Sequence, residues 1–164
     1  MMPSSQNSEH WEELYRYWRS RHVDGSPPRR ADIDPMIDLS NMASNLIVIE
    51  LRPEGAAYRL VGSDVVRHFG VDHTGKPVGT SGIDPTQRAA WSRSLEVVAR
   101  QGNPKMLVAH YPGAAKSQAI ALLLPLSPDP DGVKRVFGGA FFGRPFPRDD
   151  LFPDLPIETV TLDV

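Results

Sequence analysis

Leu122-Leu123-Leu124, inside the expected strand 117–126, is apolar at consecutive positions. Side chains alternate across a strand, so a strand apolar at every position must be covered on both faces. The runs 105–111 and 133–142 are also β-rich. Pro112-Gly113 and the Pro- and Asp-rich stretch 127–132 separate the three as turns. Such a strand needs a sheet with a layer on either side. The 164 residues suffice for that, because a chain of this length buries roughly 70% of its unfolded surface without disulfides or metals.

The rest of the chain supplies the layers. A helix is expected over 9–22, with Ser8 as its cap and Glu9, Glu12 and Glu13 in the electropositive first turn. Trp11, Leu14, Tyr15 and Trp18 recur at helical spacing and form one aromatic stripe, which must bury itself against this domain or against a partner chain. These four are the dimer-interface candidates. After Gly25-Ser26-Pro27-Pro28, Asp34 reads as an N-cap with Pro35 at the first helical position, and a short helix runs to Met42. Capping accounts for Asp34, so the Asp32/Asp34 pair needs no acid–base role.

A hairpin follows, with strands 45–51 and 57–61 joined by a turn at 52–55. Ser63 can cap a short helix through Val65, Val66 and Phe69 that stops at Gly70. Beyond a Gly- and Thr-rich connection, 71–82, Asp84 and Gln87 frame a capping box around Pro85. The helix that starts there buries Trp91, Leu95 and Val98, and Gly102 ends it. From Arg144 on, four prolines preclude a regular helix, while the alternation Val160, Leu162, Val164 points to a last strand, added to this sheet or to a neighbour's. The expected organisation is a polar start (1–8), one domain (9–143) and a Pro-rich extension (144–164). Hairpin-paired strands with helices grouped between the second and third make an α+β protein on an antiparallel sheet.

Charge and composition exclude several functions. The net charge is −2 with scattered Lys and Arg, so no basic stripe for nucleic acid is present. Cysteine is absent, which removes thiol nucleophiles, disulfides and cysteine-ligated metals. The N-terminus lacks a basic, then apolar, leader, and the longest apolar run, 119–124, is too short to span a bilayer. The expected compartment is the cytoplasm, with no membrane partner. Segment 70–76 matches seven positions of a phosphate-binding loop, but Pro77 stands where a Ser or Thr hydroxyl should reach magnesium, and the segment follows a helix. His68 and His73, five apart, do not share a helix face, and no metal site is expected. No nucleophile elbow, zinc-protease motif or dinucleotide fingerprint occurs.

Several short stretches point to a family. Tyr17-Trp18, Arg21, Pro28-Arg29-Arg30 and Asp32-Ile33-Asp34-Pro35 resemble the entry of small bacterial PAS-like proteins. Tyr58-Arg59-Leu60-Val61-Gly62-Ser63, then Gly70 and Thr74-Gly75, resemble that family's central signature, and Pro125-Leu126 also fits. The resemblance covers about 11–142. It implies a PAS-like five-stranded antiparallel sheet cupping a pocket, sensory or regulatory work, an unidentified small-molecule ligand or regulatory protein partner, and a homodimer. Covalent flavin or chromophore attachment in that family uses a cysteine, and haem a histidine of the long helix; residues 86–101 hold neither. Non-covalent flavin stays open.

Pocket candidates follow from the strand and helix positions. Arg59 is an anion clamp or a structural arginine. Tyr58 is beside it, and Trp91 is on the helix that flanks a PAS pocket. Met106 and His110 share a strand face, and Gln118 could orient a ligand. Three functions compete. The first is a ligand-binding sensor. The second is an interaction domain with a filled core, using the aromatic helix and the C-terminal strand. The third is a small enzyme built on His110 or His68.

Overall fold

In a computed structural model, residues 8–79 and 85–163 are described. Strands β1 (Leu46–Arg52), β2 (Gly55–Val61), β3 (Lys105–His110), β4 (Ala119–Pro125), β5 (Lys134–Phe142) and β6 (Ile157–Thr161) form one sheet in the order β2-β1-β5-β4-β3-β6. Helices α1 (His10–Ser20), α2 (Pro35–Asp38), α3 (Ser63–Phe69) and α4 (Pro85–Gln101) complete the chain. The protein is α+β with the five expected strands antiparallel, and β6 adds a sixth, parallel to β3. The Pro-rich stretch after β5 explains that direction. Phe152 packs on Trp11 and Tyr15, so the chain crosses over α1 and enters the far edge running the same way as β3.

The consecutive leucines of β4 do face both ways. Leu122 and Leu124 belong to a core with α1, and Leu123 to a second core under α3 and α4. The first core corrects the interface assignment. Trp11, Leu14, Tyr15 and Trp18 are at most 4% exposed, packed on their own sheet, and the Trp18 Nε1–H donates to the Pro125 carbonyl at 2.9 Å. An indole so placed has no surface left for a partner chain. Glu9, not Ser8, is the N-cap residue, and its carboxylate takes both guanidinium donors of Arg144 at 2.9 and 2.7 Å.

Other boundaries shift for local reasons. Asp34 is the N-cap of α2 but makes no side-chain cap bond, and α2 stops at Asp38 before a 3-10 segment, Ser40–Asn45. Gly62 caps α3, one residue before Ser63, and Gly70 ends it at φ 75°. The Asp84 cap lies outside the described residues. Segment 70–77 is no phosphate cradle. The N–H groups of Gly75, Lys76 and Val78 are taken up by the carbonyls of Tyr58, His73 and Ala56, so the loop covers the outer edge of β2.

Two features pin the sheet. Glu50, 7% exposed, meets Arg135 at 2.9 Å and Arg52 at 3.2 Å, and Arg135 also holds Asp129 at 2.8 Å. Burial works against the Glu50 charge, but the hydrogen bonds from Arg52 and Arg135 outweigh it and keep the carboxyl below its ordinary range. Gly138 of β5 lies so close to β4 that a Cβ would overlap the Leu122 carbonyl oxygen. Gly138→Ala should therefore lower stability by about 1–3 kcal/mol, the usual cost of overpacking, read as a lower denaturant midpoint at unchanged slope.

Candidate functional site

Between the sheet and α3–α4 the second core is incompletely filled. A cavity of about 70 Å³ lies there, and its floor is the sheet. Ala109, Ala119, Ala121 and Ala140 form that floor, paired across the strands as Ala109 with Ala119 and Ala121 with Ala140. On the opposite face the same strands carry Met106, Val108, Ile120, Leu122 and Phe137. The cavity exists because side chains are small on one face only.

Its walls are aromatic. Tyr58, Phe69, His73, Trp91 and Phe142 line it. The Tyr58 and His73 rings are 5.8 Å apart, and Phe69 meets His73 at 6.2 Å and Phe142 at 6.1 Å. His68 stacks on the outside of this wall, 3.8 Å from Phe142 at an 8° angle. Burial pushes its imidazole below the ordinary histidine range.

A β-bulge decides which residues of β2 reach the cavity. Val48 pairs with Leu60 but Ile49 pairs with Tyr58, so Arg59 is the extra residue. Tyr58 and Val61 then share the face of Ile47 and Ile49, and both line the cavity. Arg59 is turned out. Its side chain is 74% exposed, with its Nε 4.0 Å from Glu50, which corrects the anion-clamp placement.

Burial pushes the Tyr58 phenol pKa up, and the nearby Trp91 N–H offsets only part of that. The phenol is thus a neutral hydroxyl at any ordinary pH. The Trp91 Nε1 atom is buried and closes no hydrogen bond.

The remaining pocket candidates lie elsewhere. Met106 is fully buried in the α1 core. His110, on the same strand face, has its Nδ1 3.0 Å from the Tyr111 carbonyl oxygen and its ring against Phe146. Strand alternation puts Met106 and His110 on one face, the face turned away from the cavity. Gln118 precedes β4 and donates its backbone N–H to Ala109, off the cavity wall. The cavity residues absent from the candidate set include the four alanines, Phe69, His73, Gln87, Phe142 and Val160. Their one visible signal is alanine at alternate positions, 119 and 121, in a strand otherwise of Leu and Ile.

The sheet order β2-β1-β5-β4-β3, a helical insert after β2 and a cavity under that insert set the context for comparison. The PAS domain family model matches residues 6–140. The chain belongs to the PAS domain family. No curated protein matches it. Among the described residues of this PAS domain, no group of three or more His, Asp or Glu side chains is placed to hold a metal, and no helix is long and apolar enough to cross a membrane. At about 70 Å³ the cavity is also well below the ~300–1,000 Å³ of pockets for drug-sized ligands, so a flavin or haem exceeds it.

The stacked histidine supplies a check on this wall. A histidine with a depressed folded pKa binds fewer protons folded than unfolded, so its contribution is intact above about pH 6.5 and declines as pH falls below it. Proton NMR should give His68 a titration midpoint under 6.5. Between pH 7 and 5, His68→Phe should lose less stability than the parent chain.

Proposed function

We propose that this PAS domain is a sensory or regulatory module that reads a small molecule held in the cavity between the sheet and α3–α4. One observation carries the proposal. The cavity is apolar, floored by alanines and walled by aromatic rings, with a few polar atoms from Tyr58, His73 and Gln87 among them. That is the make-up of small-molecule sites, where an apolar lining supplies affinity and sparse polar groups supply orientation.

The cavity is also placed to transmit what it binds. Ala109 and Leu107 of β3 and Val160 of β6 line it, so an occupant touches the two strands that end the sheet. A ligand that prefers one packing of this edge shifts the population toward it, by no more than its differential affinity. A protein partner that binds the β6 edge, or a second copy of the chain, would read that shift. The acid–base alternative has less support, since His110 meets a backbone carbonyl and His68 a phenyl ring rather than a carboxylate.

The test is to fill the cavity. Ala121→Leu adds three carbons to the floor and should abolish ligand retention, read by native mass spectrometry of protein purified from its host. Its thermal midpoint should hold or rise, since filling a cavity commonly adds ~0.5–2 kcal/mol. A folded Ala121→Leu protein that keeps the same bound mass would overturn the proposal.

A further inference from the structure

The lining narrows the ligand further than its apolar character does. No Asp, Glu, Lys or Arg stands among the described residues of the wall. A cation entering would lose its hydration with no carboxylate to replace it, and an anion would meet only the His73 imidazole, so burying either charge is costly. The ligand is therefore uncharged. Its size follows from the volume. An apolar cavity of about 150 Å³ accepts benzene, so about 70 Å³ corresponds to roughly three or four non-hydrogen atoms.

The polar handle is Tyr58. Its ring lines the cavity and its phenol stays protonated there, since burial pushes its pKa up. The Arg59 bulge is what turns it there. Without the extra residue, Tyr58 and Leu60 would share one face, and Leu60 packs with the α1 core. The Trp91 N–H near the phenol is buried and closes no hydrogen bond. As a phenol, Tyr58 has a proton to donate, and an acceptor held within the cavity can take it.

We propose that the cavity selects a compact neutral molecule of roughly three or four non-hydrogen atoms carrying one hydrogen-bond acceptor, such as a small carbonyl compound, which the Tyr58 O–H engages. This rests on the cavity being a ligand site. Tyr58 sets specificity, and the four alanines set the size limit.

Acetone, isobutene and acetate are matched probes: the same four-atom frame with a carbonyl, a methylene or a carboxylate. Each is titrated into the isotope-labelled chain while the amides of Ala109 and Ala121 are followed by NMR, and xenon serves as a contact-only probe of the cavity. Acetone and isobutene should both perturb these amides, and acetate should not. In Tyr58→Phe, acetone should weaken by roughly threefold to tenfold, the range for one net hydrogen bond, while isobutene stays within about twofold. The parent chain offers a readout that needs no substitution, since the Tyr58 Cζ carbon should shift with acetone and not with isobutene. Equal losses for acetone and isobutene, an unmoved Cζ, or acetate binding as well as acetone would each overturn the assignment to Tyr58 and a neutral acceptor. If acetone, isobutene and xenon all leave the cavity amides unmoved, the ligand-site proposal falls, and this one with it.

Discussion

The asymmetry between the two faces of the sheet governs everything else in this protein. The strands are apolar on both sides, as a twice-covered sheet requires. On the α1 side they present Met, Ile, Leu and Phe, which interlock with an aromatic helix and leave α1 no free apolar face. On the other side alanine recurs, and the space beneath the helices is incompletely filled. One layer is therefore a solid core and the other a vessel.

Most of the scaffold was legible because its signals are local. Helical spacing placed the Trp11–Trp18 stripe, proline placed the starts of α2 and α4, and Leu122–Leu124 announced a doubly buried strand. The site was only half legible, and the reason is geometric. Alternation sorts a strand into two sets but does not say which set faces which helix. Met106 and His110 belong to one set, and that set faces away from the cavity. The four floor alanines are faint in the sequence, because a short side chain leaves little mark in a pattern built on hydrophobicity.

Arg59 shows a different limit. A bulge inserts one residue without changing composition, and it reverses the parity of all that precedes it in the strand. Arg59 and Tyr58 look alike as neighbours of a pocket, yet one faces water and the other the interior. The phosphate-loop pattern at 70–76 is ruled out twice, in sequence by Pro77 and in the fold because the Gly75 N–H is committed to the Tyr58 carbonyl of β2.

The pairing of β1 with β5 has a kinetic meaning. Leu46 meets Gly139, so the strand at the middle of one half of the sheet finds its second neighbour more than ninety positions downstream. During synthesis the β1–β2 hairpin emerges early, with an apolar strand edge that waits for most of the chain. Contacts this distant in sequence slow the search for the native state. Chaperone holding, or simple speed of translation through 62–133, thus bears on how much protein reaches its folded form, independently of how stable that form is once made.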